Sequence, residues 1–309
     1  MNSRNRILGI AGRSVALATV LALTACDAVN EAVDEVRDIG NDAEVLYYVS
    51  VGTSLSVGVQ PDSSGLTLPT DDGYPDLLHD SIEPLVETVG NRELRLVKFG
   101  CPGETLDSMI NGGDCPYIAG SQLGAAVDFL EENRDSVYLV TIDMGANDFR
   151  NSDCIGTTVD LECVDTVGLQ IATDLAEVLG TLRNATGPDT PIVGMNYYNP
   201  YLASWLDGPA GQRLATAAAL AVGALNGVLA TTYETAGMPM ADVAAAFESD
   251  DFVTLVDSSQ PPPNQTLPLN VNNICEYTFM CEPEPQGPDI HAKDAGYALI
   301  ADTFLSIVD

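Results

Sequence analysis

A serine and a histidine at opposite ends of the chain are the residue types that acyl transfer needs. Ser54 follows a strand-like run in the stretch GTSLS, and His291 lies in PDIHAKDAGY, before a helical pattern. A serine hydroxyl is a weak nucleophile until a neighbouring base takes its proton, and a histidine can take that proton and return it to the leaving alkoxide. The only other histidine, His79, lies in a helical stretch with acids beside it and is expected at the surface. Ser54 and His291 are therefore the candidate nucleophile and base, with a simple turn serine as the alternative for Ser54.

Strand-like runs alternate with longer helical patterns from about residue 44 to the end of the chain. The candidate strands are VLYYVSVG, LRLVKFG, VYLVTIDMG, PIVGMNYY and DFVTLVD. The helical patterns lie around 76–88, 119–133, 164–184, 210–235 and 292–307. This alternation predicts an α/β domain with about five mostly parallel strands and helices on both faces. In such a sheet the ligand crevice lies outside the carboxyl ends of the strands, where GTSLS, GCPGET and GAND follow the first three runs.

One stretch, residues 258–288, is strongly loop-like. It contains three consecutive prolines and the closely spaced Cys275 and Cys281. We predict a long ordered loop with a disulfide across its second half, and loops of this size are uncommon without a function.

The four polar stretches GTSLS, GCPGET, GAND and PDIHAKDAGY resemble, in this order, the sequence blocks of the SGNH hydrolase family, also called GDSL esterases and lipases. The resemblance covers about residues 44–309 and is nearest to exported actinobacterial esterases with three disulfides, which also carry phrases like MNYYNPYLASWL. It implies a flavodoxin-like α/β sandwich. It also implies a serine esterase or lipase that works through an acyl-enzyme.

The resemblance places the nucleophile at Ser54 rather than at the neighbouring Ser56. It implies three oxyanion-hole donors, namely the backbone N–H groups of Ser54 and Gly103 and the side-chain amide of Asn147. A glycine suits such a position because its N–H can approach the substrate without a Cβ in the way. The alternatives are a plain turn after Pro102 for the glycine and a helix cap for the asparagine.

Two positions depart from the family pattern. Thr53 stands where the family usually has an aspartate before the nucleophile. The orienting aspartate usually lies three residues before the histidine, where this chain has Pro288, and Asp289 lies two residues before it. Either the Asp289 carboxylate or the Pro288 carbonyl could hold the imidazole of His291 and fix its tautomer. We favour Asp289, which gives the catalytic set Ser54, His291 and Asp289.

The segment NYYNPYLASWL could line an acyl or alcohol pocket after the fourth strand, through Tyr197, Tyr198, Tyr201 and Trp205, with core packing as the alternative. Simple carboxylic esters with short or medium acyl chains are the first choice of substrate. The second is O-acetyl groups on cell-wall or plant polysaccharide. A surface lipoprotein that binds a glycan or a partner without catalysis is the third reading, motivated by Thr53 and the displaced aspartate.

Charge excludes some partners. The 309 residues include 12 Lys and Arg against 45 Asp and Glu, a formal net charge of −33. Such a surface repels nucleic acid and is not attracted to anionic membranes. Phosphate-cradling loops, dinucleotide fingerprints and metal-ligand sets are not found in the sequence, so no cofactor and no metal are expected.

The N-terminal sequence is typical of an export signal. Three arginines and no acid precede the apolar run SVALATVLALTAC, which is too short to span a bilayer comfortably. Its end, LTAC, resembles the lipobox of bacterial lipoproteins, so we predict a signal peptide at 1–25, lipidation of Cys26 and an acidic tether at 26–43. An ordinary signal peptide with an incidental free cysteine is the alternative. The prediction is a cell-surface lipoprotein whose membrane contact is the lipid anchor alone.

The other six cysteines fit an oxidising compartment. An even set in an exported protein indicates disulfides, and six cysteines allow 15 connectivities. Pairing between neighbours along the chain is the simplest of them, and it closes three separate loops: Cys101 with Cys115, Cys154 with Cys163, and Cys275 with Cys281.

Overall fold

The computed structural model describes residues 43–261 and 263–308. The predicted signal peptide, the lipidation site Cys26 and all of the tether but residue 43 lie outside these residues. The described strands are β1 (Glu44–Gly52), β2 (Gln60–Pro61), β3 (Thr67–Leu68), β4 (Arg92–Lys98), β5 (Val137–Asp143), β6 (Ile192–Met195), β7 (Met240–Ala241), β8 (Leu255–Asp257) and β9 (Thr266–Pro268). The α-helices are α1 (Tyr74–Thr88), α2 (Leu106–Asn111), α3 (Gln122–Glu132), α4 (Ala146–Asn151), α5 (Leu161–Ala185), α6 (Pro209–Thr235), α7 (Val243–Ala246), α8 (Leu269–Tyr277) and α9 (Asp294–Val308).

A five-stranded sheet lies at the centre, in the order β4-β1-β5-β6-β7. Every neighbouring pair in it is parallel. Each residue of β5 is buried or nearly so, which explains why this strand is an apolar run rather than an alternating one. The predicted α/β fold with a parallel sheet and surrounding helices is confirmed.

The prediction for the fifth strand was wrong. DFVTLVD contributes only β8, which pairs antiparallel with β9 in a separate two-stranded sheet. The fifth strand of the main sheet is β7, whose two residues are too few to produce a recognisable apolar run. The predicted loop at 258–288 also contains regular structure, namely β9, α8 and a 3₁₀ turn at Phe279–Cys281.

The core is continuous on the two sides of the sheet. Tyr48 and Val49 of β1 have no exposed surface, and Tyr74 of α1 stacks on Phe304 of α9 with 4.9 Å between the ring centroids. By length and composition α6 would pass for a membrane span. It packs on α5 and on the 3₁₀ helix Pro200–Asp207, as an apolar core helix does.

Three disulfides confirm the predicted neighbour pairing. Cys101 bonds to Cys115, Cys154 to Cys163 and Cys275 to Cys281. Each bridge closes a short loop in a connection between elements rather than joining distant parts of the sheet.

Candidate active site

The carboxyl ends of β1, β5 and β6 open onto one pocket. Ser54 lies two residues after β1, Asn147 lies in the first turn of α4 after β5, and His291 lies three residues before α9, and all three line this pocket. The enclosed part of this pocket is small, about 70 Å³, and the rest of it opens to solvent. The rest of the wall is mostly apolar and includes Leu55, Phe149, Pro200, Val222, Leu225 and Ile290.

The two candidate nucleophiles differ in what their hydroxyls face. Ser54 begins a short 3₁₀ turn over Leu55–Val57 and lines the pocket. Ser56 has no exposed surface, and its hydroxyl donates to the carbonyl of Thr53 at 2.7 Å. Ser56 is therefore a turn-stabilising residue, and Ser54 is the serine that lines the pocket.

The amide of Asn147 has a defined orientation. Its Nδ2 donates to the carbonyl of Glu104 at 3.0 Å, and its Oδ1 accepts from Nη2 of Arg150 at 3.3 Å. An amide NH₂ carries two N–H groups, so the bond to Glu104 leaves the second one for another acceptor. Helical spacing puts Arg150 three residues after Asn147 on the same face of α4, a relation that could have been inferred from the sequence.

Gly103 does not line the pocket. It lies one residue before Glu104, whose carbonyl accepts the hydrogen bond from Asn147. Its φ of +82° is in the region that favours glycine. A Cβ at this position would meet no atom within 4 Å. The Glu104 carbonyl thus connects the loop that carries Gly103 to Asn147. The space that a Cβ would occupy at Gly103 is empty of protein atoms.

A buried glutamine that the sequence analysis missed ties this loop to the end of β1, two residues before Ser54. Gln122 accepts a hydrogen bond from the Gly52 N–H at 2.7 Å and donates to the Gly52 carbonyl at 2.9 Å. Its Nε2 also donates to the buried carboxylate of Glu104 at 3.0 Å. The end of β1 and the turn that carries Gly103 are therefore held in one hydrogen-bonded unit.

His291 is paired with Asp289. Its Nδ1 lies 2.6 Å from Oδ1 of Asp289, and its backbone N–H donates to the same oxygen at 2.9 Å. Burial works to raise the pKa of Asp289, but the hydrogen bonds and charge of His291 outweigh burial and leave that pKa below its ordinary value. The carboxylate is therefore ionised at neutral pH and can hold a proton on Nδ1.

The segment 258–288 supports the histidine. The carbonyl of His291 accepts from the N–H of Phe279 at 3.0 Å, and the N–H of Asp289 donates to the Phe279 carbonyl at 3.1 Å. The hydroxyl of Tyr198 donates to the Ile290 carbonyl at 2.7 Å. The excursion, closed by the bridge next to Phe279, thus fixes the backbone that carries the candidate base.

Of the remaining residues that the sequence analysis singled out, some line the pocket and others do not. His79 lies on α1, where its Nε2 contacts the Leu94 carbonyl at 3.0 Å and its Nδ1 lies 3.6 Å from Asp80, so it is not in the pocket. Three aromatic residues do line the pocket, namely Tyr197, Tyr198 and Tyr201. Trp205 instead packs on Phe252, with 5.6 Å between the ring centroids.

A buried carboxyl contacts Thr53, the residue before Ser54. Asp143, the last residue of β5, has no exposed surface, and its Oδ2 accepts from the hydroxyl of Thr53 at 2.6 Å. Burial raises the pKa of Asp143 to about 7, although the hydrogen bonds from Thr53 lower it. A single acidic residue at the end of an otherwise apolar strand was a signal that the sequence analysis passed over.

This carboxyl makes the stability of the fold depend on pH. An aspartate whose pKa is about 3.8 when unfolded and about 7 when folded contributes stability that is fully present below pH 3.8 and is lost as the pH rises through 7. We expect Asp143→Asn to lessen the fall in unfolding free energy between pH 5 and pH 8 by on the order of 2 kcal/mol. Urea titrations of both proteins at the two pH values measure this, and equal falls would contradict it.

The chain is similar to proteins of one known family. A family model described as the GDSL-like Lipase/Acylhydrolase family matches residues 50–299. A search of curated proteins finds no match. Among solved structures, an extracellular lipase from Streptomyces rimosus is similar, with 18% identity over 84% of this chain and 99% of that one and a TM-score of 0.52. A lipase from a goat rumen metagenome has 14% identity over 84% of this chain and 96% of that one, with a TM-score of 0.51. Since the family model covers most of the chain, this protein belongs to the GDSL-like lipase/acylhydrolase family.

Proposed function

We propose that this protein is a serine esterase that hydrolyses carboxylic esters through an acyl-enzyme on Ser54. The observation that carries the proposal is that Ser54, Asn147 and His291 line one mostly apolar pocket while His291 Nδ1 lies 2.6 Å from an ionised Asp289. These are a nucleophile, a donor, a base and an orienting acid, the parts that acyl transfer to water requires.

The reaction proceeds in two halves. In the first, Nε2 of His291 takes the proton of Ser54 as Oγ attacks the ester carbonyl carbon, and the carbonyl oxygen becomes an oxyanion. Collapse of this tetrahedral species breaks the bond to the alcohol oxygen, which leaves with the proton from His291. In the second half, water loses a proton to His291 and attacks the acyl group, and Ser54 recovers its proton as the acid leaves.

The polar groups of the site have separate tasks in this scheme. Asp289 keeps a proton on Nδ1 of His291, so that Nε2 has the lone pair, and its charge stabilises the imidazolium that forms. The second N–H of Asn147, with the backbone N–H groups of Gly103 and Ser54, donates to the oxyanion. The Asn147 amide is held by its bond to the Glu104 carbonyl, so its second N–H needs no rearrangement as charge develops.

We expect Asn147→Ala to lower kcat by about 10²–10³-fold, because one oxyanion donor is lost from a mostly apolar site. KM should change much less, since the ground-state carbonyl carries less charge than the oxyanion. Steady-state kinetics on one p-nitrophenyl ester give both constants. A kcat within about threefold of wild type would assign Asn147 to structure instead.

The apolar wall favours simple esters with short or medium acyl chains. The removal of O-acetyl groups from carbohydrate is the second candidate, because Tyr197, Tyr198 and Tyr201 in the wall can also contact sugar rings. We further infer export, since three disulfides suit an oxidising compartment. Anchoring through a lipid on Cys26 is part of this proposal.

Hydrolysis of p-nitrophenyl esters of increasing acyl length, alongside acetate release from acetylated xylan and peptidoglycan, tests the proposed function. Turnover that peaks at short or medium chains supports the ester hydrolase, whereas turnover confined to acetylated glycans supports the second candidate. No turnover on any ester, together with no adduct from a fluorophosphonate probe, would leave a surface-binding protein.

A further inference from the structure

Asp143 is an acidic side chain in direct contact with the turn that carries Ser54, and the proposed mechanism leaves it without a task. Its Oδ2 accepts from the hydroxyl of Thr53 at 2.6 Å and from the backbone N–H of Thr53 at 3.2 Å. Its Oδ1 accepts from the hydroxyl of Tyr74 at 3.3 Å. Within 43–261 and 263–308, no lysine or arginine lies at ion-pair distance from this carboxyl.

Burying the Asp143 carboxyl in this way costs folding free energy. Removing a carboxylate from water without a cation carries a large penalty, and only hydrogen bonds from neighbouring donors offset it here. The carboxyl also leaves no room for a side chain at residue 52, because a Cβ at Gly52 would overlap Asp143 Oδ1. An apolar residue at the end of β5 would fill this space at lower cost, so the carboxyl calls for an explanation other than packing.

Its hydrogen bonds converge on the residues that flank Ser54. Thr53 is fixed through both its backbone N–H and its hydroxyl. The same hydroxyl oxygen accepts from the N–H of Leu55 at 3.4 Å. The residue before the nucleophile is therefore held directly by the carboxyl, and the residue after it is held through Thr53.

We propose that Asp143 and Thr53 act as one unit that positions Ser54 for attack, an inference that rests on the proposed function. A carboxyl from the neighbouring strand accepts a hydrogen bond from the hydroxyl at residue 53. Both residues are positioning residues, since they act on the reaction through the placement of Ser54.

Thr53→Val and Thr53→Ser provide the primary test. Valine keeps the shape of threonine and removes the donor, so we expect kcat to fall about 10–100-fold with KM within about threefold of wild type. Serine keeps the hydroxyl and should retain kcat within about threefold. The rate at which a fluorophosphonate probe labels Ser54 should fall with kcat in the valine variant, because it reports the reactivity of the nucleophile without ester binding.

A double-mutant cycle with Asp143→Asn tests whether the two residues act as a unit. We expect the double variant Thr53→Val, Asp143→Asn to be no slower than the slower of the two single variants. Tyr48→Phe is the matched control, because it removes another buried hydroxyl, which bonds to Thr141 at 2.9 Å, and touches neither residue of the pair. It should lower Tm without changing kcat.

The outcomes separate this inference from the proposed function. A valine variant as fast as wild type, or effects that multiply in the double variant, would overturn the positioning role while wild-type turnover leaves the esterase intact. If Asp143→Asn does not fold, the valine and serine variants still decide the role of the hydroxyl. A wild-type protein that neither hydrolyses esters nor labels with the probe removes both proposals.

Discussion

Ser54→Ala is expected to reduce kcat for ester hydrolysis by on the order of 10⁵–10⁶-fold, the largest effect of any single substitution in this chain. Without the hydroxyl no acyl-enzyme can form, and only direct attack by water, aided by the oxyanion donors, remains. The fold should be unchanged, because the loss of one hydroxyl from a side chain that lines a pocket leaves no large cavity. Burst kinetics with a p-nitrophenyl ester should lose the acyl-enzyme phase, and the fluorophosphonate adduct should disappear.

Ser56→Ala is the matched control for this experiment. It removes a serine hydroxyl two residues away, but one that is buried and bonded to the Thr53 carbonyl. The probe should still label Ser54 in this variant. An adduct that persists in Ser54→Ala and vanishes in Ser56→Ala would mean that the nucleophile has been assigned to the wrong serine.

Asp289→Asn should produce the second largest effect, a fall in kcat of about 10³–10⁴-fold. An asparagine preserves the shape of the side chain, but it has no charge to stabilise the imidazolium and can present an N–H to Nδ1, which favours the unreactive tautomer of His291. Stopped-flow measurement of acylation, with KM recorded in parallel, tests this expectation.

Asp294→Asn makes the matching change of charge close by, at an exposed carboxylate that accepts from Gln60 at 2.9 Å. Its kcat should stay within about twofold of wild type, because an exposed charge is well screened. Near-full activity in Asp289→Asn would instead indicate that the backbone carbonyl of Pro288 orients the imidazole.

The parts of the fold with strong sequence periodicity were predictable. β1 and β5 are largely apolar runs, and β4 alternates charged with apolar residues. α5 and α6 repeat their apolar positions over many turns. The candidate site was predictable for the same reason, because parallel strands bring the residues after their carboxyl ends to one edge. The candidate base could be identified because the sequence contains only two histidines, His79 and His291.

The parts that could not be predicted depend on contacts made only in the folded chain. β7 has two residues, so its membership in the sheet comes from the position of β6 and not from its own pattern. α8 follows several prolines and contains few strong helix formers, and its start is set by tertiary packing. The contact between Asp143 and Thr53 joins residues 90 positions apart, and no local signal relates them.

The placement of the three disulfides bears on how the chain acquires them. Each cysteine in the part of the chain that the structure describes is joined to its neighbouring cysteine in sequence, at separations of 14, 9 and 6 residues. Short loops close at low entropic cost. In a polypeptide that is translocated N-terminus first, the two cysteines of each pair are therefore both delivered before the next pair arrives. Oxidative maturation of this protein should need little help from a disulfide isomerase.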